Sequence, residues 1–266
     1  MSGTVYLVGA GPGAPDLLTV RAARLLGEAD IVLHDALVHP DTLALAARAK
    51  IVDVGKRCRK MGSVPVFQQA FINKRLVDAA RRHKVVVRLK GGDPMLFGRA
   101  QEEIDALAAA GIRCEVVPGV TAALGAAAEL GVSLTHRGVS RSVAFVTPRV
   151  GDGEKDSGWV RAALAADTVA LYMGAGDARA IADALIAAGM PAGTPVAIAE
   201  SVSLPGAHTL AGRLEDLERL AAQRGSGPAL VLLGAVWGTL HQRRVGQRPT
   251  VQDPKIGSDP IYSARG

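Results

Sequence analysis

Arg88-Leu89-Lys90-Gly91-Gly92-Asp93-Pro94-Met95-Leu96-Phe97-Gly98-Arg99 follows directly on the apolar run Val85-Val86-Val87. A strand that runs into two glycines, an acid and a proline loses its side chains at its carboxyl end while keeping one carboxylate there. In open α/β sheets, ligands bind outside the carboxyl ends of strands. Glycine lets a ligand approach the main chain, and Pro94 keeps Asp93 out of helix. A second strand exit of this kind, Val8-Gly9-Ala10-Gly11-Pro12-Gly13, lies earlier in the chain. Each exit alone is also what a plain tight turn looks like. Two of them in one half of the chain point to a nucleotide-like ligand. Gly9 through Ala14 fits the G-x-G-x-x-A form of a dinucleotide loop, but that loop opens directly into a helix whose N-terminus holds pyrophosphate. Here Pro12 and Pro15 interrupt it and delay the helix to about Leu17.

Around these exits strands and helices alternate. Strands are expected at 5–8, 30–34, 51–54, 85–89 and 113–117, with helices at 17–27, 41–48, 66–82 and 99–110. This rhythm predicts a largely parallel sheet covered by helices. A second unit starts after Pro118-Gly119, with an Ala-rich helix from Thr121 to Gly131. Strands are expected near 142–147, 168–173, 195–200 and 229–234, and helices at 177–189 and 213–224. The fold class is therefore α/β: two α/β domains with mainly parallel or mixed sheets and a ligand cleft between them. The expected boundaries are 1–118, 119–240 and a tail, 241–266, that is polar and expected to be disordered. The polar loop 150–158 is a candidate lid.

The 266 residues suffice for a substantial core, and the composition, 48% hydrophobic but only 3% aromatic, suits helices packed on a buried sheet. No apolar run reaches the roughly 18–20 residues that span a bilayer. The first strand begins so near Met1 that no signal peptide is expected, and Cys58 and Cys114 alone do not make a disulfide framework. These readings give a cytoplasmic expectation with no membrane partner. Half of the net charge of +6 lies in 241–266, where Arg243, Arg244, Arg248, Lys255 and Arg265 outnumber Asp253 and Asp259. What remains suits a polyanionic small molecule better than nucleic acid, which would want more charge with aromatics interleaved. Lys56-Arg57-Cys58-Arg59-Lys60 is a solvated basic loop or an anion patch, and Lys56 stands just beyond a strand. Asp35, after the strand ending at His34, is a capping or ribose-binding acid or a base in the cleft. The histidines show no zinc-like spacing, so no metal is expected.

Val8 to Gly13, His34-Asp35-Ala36-Leu37, Val54-Gly55-Lys56-Arg57 and Arg88 to Arg99 together resemble the uroporphyrinogen-III C-methyltransferases, a branch of the tetrapyrrole methyltransferases. Val117 to Ala122, Leu134-Thr135-His136-Arg137 and Tyr172-Met173-Gly174 extend the resemblance in order from about residue 4 to 240. It implies a homodimer of two-domain α/β chains that methylates two pyrrole carbons of uroporphyrinogen III from S-adenosylmethionine, giving precorrin-2 for sirohaem or cobalamin. By motif it implies cofactor contacts at Pro12, Gly91, Gly92, Asp93, Leu96, Thr121, Ala122 and Met173, and by looser alignment at Val202 and Ala229. It makes Asp35 the proton acceptor and Lys56 the proton donor. Three stretches depart from the pattern: Ala100-Gln101 stands for Gly-Gly, Thr147-Pro148-Arg149 for Thr-Gly-His, and Ser201-Val202-Ser203 for Asn-Gly-Thr. They bear on the surroundings of the adenine and on the choice among related tetrapyrroles.

Methyl transfer from a sulfonium needs its partners held in line rather than a covalent nucleophile. A mostly uncharged, main-chain-lined pocket suits it, with Asp93 near the cofactor's polar parts. The eight carboxylates of the substrate call for guanidinium and ammonium groups. Candidates are Arg57, Arg59, Lys60, Arg99, Arg137, Arg141 and Arg149. The competing readings are a methyltransferase of a later corrin precursor, a nicotinamide-dependent oxidoreductase, and a tetrapyrrole sensor without catalysis.

Overall fold

The computed structural model describes residues 2–55, 65–150 and 157–241. Lys56 with the rest of the basic run, residues 151–156 of the polar loop, and the tail from 242 lie outside them. Among the described residues, ten strands form two five-stranded sheets. The first contains β1 (Thr4–Gly9), β2 (Ile31–His34), β3 (Lys50–Asp53), β4 (Val85–Lys90) and β5 (Cys114–Val117) in the order β3-β2-β4-β1-β5. All its pairings are parallel, and Gly9 registers with Lys90.

Strand alternation assigns each face its cover. Val5, Leu7 and Val86 pack under Leu76, Ala79 and Leu107 of α3 (Pro65–Ala80) and α4 (Ala100–Ala109). Val8, Val87 and Leu89 pack against Ala22, Leu25 and Leu26 of α1 (Val20–Glu28). Thr19 caps α1 by accepting the Ala22 N–H at 3.2 Å. The one-turn helix Pro15–Leu17 fills the gap that the prolines impose before it. A short α2 (Pro40–Ala44) follows β2.

The second sheet has the order β6-β7-β10-β8-β9, from β6 (Val143–Val146), β7 (Thr168–Leu171), β8 (Pro195–Glu200), β9 (His208–Arg213) and β10 (Ala229–Gly234). Only β6 and β7 pair in parallel; the other three pairings are antiparallel. Val196 and Ile198 face a core shared with Ile181, Leu185, Leu217 and Leu220 of α7 (Ala178–Ala187) and α8 (Leu217–Ala221). Ala163 of α6 (Trp159–Ala165) joins that core. Ala197 and Ala199 face α5 (Ala122–Leu130) and Trp237. The small strand residues let α5 lie close to the sheet.

Three elements differ from expectation: β9 and α6 stand where no element is expected, and β7 ends at Leu171 rather than 173. The helix expected over 213–224 is a short turn at Leu214–Asp216 followed by α8. No helix among the described residues is long and apolar enough to cross a membrane.

Candidate active site

The two glycine exits meet because β1 and β4 are neighbours. Beyond the strands the chains turn toward each other: Gly92 N–H donates to Gly11 O at 2.7 Å, and Gly11 N–H to Gly92 O at 3.2 Å. Gly92 sits at φ +67°, a conformation that costs side-chain-bearing residues strain. The connection after β5 closes on the same point. A Cβ on Gly119 would lie 2.3 Å from Gly92 O, and one on Gly9 would lie 2.6 Å from the Gly119 Cα. Three backbones therefore cross where no side chain fits. Asp93 locks the crossing: its Oδ2 accepts the Gly119 N–H at 2.8 Å and its Oδ1 the Met95 N–H at 2.8 Å.

A cleft of about 480 Å³ opens above this crossing, at the carboxyl ends of β1, β2 and β4. Its opposite wall comes from the second sheet: the start of α5, the turn after β7, the loop after β8 and the start of β10. Because β10 runs antiparallel to β7 and β8, its first residue Ala229 reaches the edge where they end. The glycine loop and the second unit are tied by Ala14 N–H donating to Ser203 Oγ at 2.9 Å. Ser203 N–H in turn donates to Glu129 Oε2 at 2.7 Å.

Of the residues that the sequence nominates, Pro12, Asp35, Gly91, Gly92, Asp93, Leu96, Thr121, Ala122, Met173, Val202 and Ala229 all line this cleft. Lys56 lies outside the described residues. Asp93 borders the cleft, but both its oxygens are engaged by backbone N–H groups, so its evident work is to hold two loops together. Asp35 is half-buried; its Oδ1 accepts the Leu37 N–H at 3.0 Å and its Oδ2 the Gly91 N–H at 3.3 Å. Among the candidate carboxylate-binding cations, Arg99 borders the cleft and forms a forked pair with Glu102, Nε–Oε1 2.7 Å and Nη2–Oε2 2.8 Å. That pairing holds the Glu102 carboxyl below its ordinary range. Arg137, Arg141 and Arg149 are exposed and away from the cleft lining. Arg137 and Arg141 lie between α5 and β6, and Arg149 follows β6.

The expectation of a mostly uncharged pocket is corrected at the first-sheet end. Arg88 and Lys90, two apart on β4 and hence on one face, reach one carboxylate, Glu103 of α4. Arg88 Nε lies 3.0 Å from Glu103 Oε1, and Lys90 Nζ 2.9 Å from Glu103 Oε2. Arg88 Nη1 also donates to Leu89 O at 3.1 Å. Glu103 is fully buried and both cations nearly so, yet Arg88, Lys90 and Gln69 of α3 form part of the cleft lining. Burial, and then the Arg88 guanidinium, pushes the Lys90 ammonium below its ordinary pKa, while Glu103 pulls it back. The signal was present in the sequence: charges at alternate positions of an apolar strand need a buried partner.

Aromatic and strained residues finish the wall. Tyr172 Oη lies 2.7 Å from Thr121 Oγ1 and accepts the Ala123 N–H at 3.1 Å, so it takes the capping place at the start of α5. Its burial raises the phenol pKa. The Phe97 ring stacks on it at 5.1 Å. Among the described residues, the non-glycine positions with positive φ are Phe97, Arg99, Met173, Ser201 and Ser203. The first three line the cleft, and the two serines flank Val202, which also does. Strain gathered around one cleft is a mark of function.

Comparison with known proteins agrees with this geometry. Residues 4–218 match the family model of the Tetrapyrrole (Corrin/Porphyrin) Methylases. The chain is 49% identical over 237 residues to the siroheme synthase of Pseudomonas fluorescens (strain Pf0-1), covering 88% of this chain and 50% of that protein. It thus spans about half the length of the curated relatives it matches. It is also similar to the uroporphyrin-III C-methyltransferase structure from Thermus thermophilus, with 43% identity, a TM-score of 0.73, and coverage of 91% and 96% of the two chains. A further structure from Thermus thermophilus, of the uroporphyrin-III C-methyltransferase complexed with S-adenyl homocysteine, gives 40% identity, a TM-score of 0.75, and coverage of 88% and 98%.

Proposed function

Because the chain belongs to the tetrapyrrole (corrin/porphyrin) methylases, we propose that it transfers methyl groups from S-adenosylmethionine to two pyrrole carbons of uroporphyrinogen III, yielding precorrin-2. The observation that carries this reading is the two-ended cleft: bared main chain on one side, a buried charged floor on the other. At the bared side, Gly91-Gly92 and Thr121-Ala122 expose backbone beside the apolar Leu96, Met173 and Val202. Such a cradle fits a sulfonium cofactor, which needs close packing and no neighbouring nucleophile. We assign it to Pro12, Gly91, Gly92, Asp93, Leu96, Thr121, Ala122, Met173, Val202 and Ala229. S-adenosylmethionine supplies the electrophilic methyl group.

The protein's own residues position the macrocycle and remove a proton. When a pyrrole carbon gains a methyl carbon, a C–H bond of the macrocycle must break, and its electrons stay with the ring. We assign the departing proton to Asp35. Two backbone N–H groups fix that carboxylate at the cleft edge and leave further lone pairs open to accept it. Lys56 is proposed as the returning donor, beyond β3. Residues 1–118 and 119–240 are proposed as the two domains, in a cytoplasmic homodimer. The test is anaerobic incubation with S-adenosylmethionine and uroporphyrinogen III. A tetrapyrrole gaining two methyl groups with release of two S-adenosylhomocysteines supports the reading; methylation confined to a later corrin precursor overturns it.

A further inference from the structure

The buried trio on the cleft floor holds two cations and one carboxylate. Glu103 sits between them, and Gln69 Nε2, 3.5 Å from Glu103 Oε1, adds a donor rather than an acceptor. The same Nε2 donates to Asn73 Oδ1 at 2.9 Å. Burying a surplus positive charge is costly unless an opposite charge completes it. Among the described residues the remaining carboxylates that act on Lys90 are Asp35, at the cleft edge and proposed to become neutral in the reaction, and Glu102, already engaged with Arg99. Arg88 donates to Glu103 and to the Leu89 and Leu33 carbonyls, whereas the ammonium of Lys90 donates to Glu103 alone among the described side chains.

The stem of Lys90 is also held. Its Cε passes beneath the Phe97-Gly98-Arg99 turn, where a Cβ on Gly98 would lie 3.2 Å from it and 2.5 Å from Pro94 O. Gly98 thus leaves room for Lys90 to reach the floor. A charged group fixed by an ion pair, lodged under a glycine and facing a cleft is arranged to receive an anion.

We propose that Lys90 binds a carboxylate of the incoming tetrapyrrole, with Glu103 and Arg88 as its rigid mount. The inference rests on the methyltransferase reading above. The methyl donor carries a carboxylate too, and half of its assigned contacts lie on the first-sheet loops; Lys90 neighbours Asp35, Arg88 and Gly98 on that side, so the donor's own affinity is the control that separates the two carboxylates. Lys90→Met leaves Glu103 and Arg88 as a neutral pair, so the floor stays compensated.

The experiment compares wild type, Lys90→Met and Lys90→Arg by steady-state kinetics with uroporphyrinogen III and by calorimetric titration with S-adenosylhomocysteine. Losing a charge-assisted hydrogen bond should raise the Lys90→Met tetrapyrrole KM about 10–100-fold. Its kcat at saturation and its S-adenosylhomocysteine Kd should change little, and Lys90→Arg should restore most of the KM. Lys90→Gln, which keeps a polar stem, reads the same KM should the Met variant not fold. An unmoved KM overturns the inference. So does an S-adenosylhomocysteine Kd that rises in step, which would give the carboxylate to the donor. Wild-type protein that neither binds S-adenosylhomocysteine nor methylates the macrocycle would instead defeat the parent reading.

Discussion

Replacing Glu103 by Gln tests the electrostatics of the cleft floor. The substitution preserves shape and removes the one negative charge that two buried cations share. Breaking a buried pair by deleting one partner costs about 3–5 kcal/mol, because an uncompensated charge is left behind. Lys90 has an escape: it can fold neutral. Surrendering its proton at pH 7 costs about 1.4 kcal/mol for each unit below its ordinary pKa near 10.4, or about 4.8 kcal/mol, which caps the penalty within the same range. At pH 9 that cap falls to about 2 kcal/mol. The sign follows from proton counting. In the variant, folded Lys90 binds its proton more weakly than unfolded Lys90, so stability must rise with pH between the two pKa values. Urea unfolding at pH 7 and pH 9, on wild type and Glu103→Gln, measures both quantities. At about 2–4 °C per kcal/mol, the pH 7 deficit corresponds to a Tm drop of about 6–20 °C. A deficit below about 1 kcal/mol at pH 7, or one that does not narrow at pH 9, would refute the claim that the trio is buried and ionised.

Three other perturbations read separate parts of the structure. Asp35→Asn should lower turnover by about 100-fold or more while leaving S-adenosylhomocysteine affinity within about twofold, as measured by initial rates and calorimetry. Gly119→Ala drives a Cβ to 2.3 Å from Gly92 O and should cost about 3 kcal/mol or more, whereas Gly27→Ala, in α1 with nothing within 4 Å, should stabilise by about 0.5–1 kcal/mol. Paired denaturation curves decide both. Asp30 accepts the Val85 and Lys84 N–H groups at 2.9 and 2.8 Å, and these bonds, the Val85 one foremost, hold its carboxyl below the ordinary 3.8. Its stabilisation is therefore complete above that ordinary value and fades as pH falls through the lower folded one. The urea midpoint of Asp30→Asn should lack that part of the acid-limb slope.

The first sheet was legible because its central strands β1, β2 and β4 are largely buried and read as apolar runs, and because the glycine exits of β1 and β4 announce their ends. Their pairing, which makes the cleft, was not legible, because strand order leaves no mark in the strands' own residues. The second sheet was less legible. β9 is an edge strand of sequence His-Thr-Leu-Ala-Gly-Arg with a single neighbour, so it carries little apolar signal. Its Gly212 serves packing, since a Cβ there would meet Leu220 at 2.7 Å. Antiparallel β10 resembles any buried parallel strand in sequence, because direction leaves no trace in an apolar run. The cofactor side was readable by motif, since its residues cluster in short glycine-bearing stretches. Of the charged floor only the alternate charges of Arg88 and Lys90 were readable, because they find Glu103 only once α4 packs over β4. The contact of Tyr172 with Thr121 likewise depends on how α5 and β7 converge across 51 residues.

The most direct measurement of the central claim is a crystal structure of this chain with S-adenosylhomocysteine. The ligand should lie against the bared main chain at Gly91-Gly92 and Thr121-Ala122, beside Met173, with Asp35 and Lys90 left facing the space for the macrocycle. Ligand seated elsewhere, or a cleft too closed to admit it, would contradict the account.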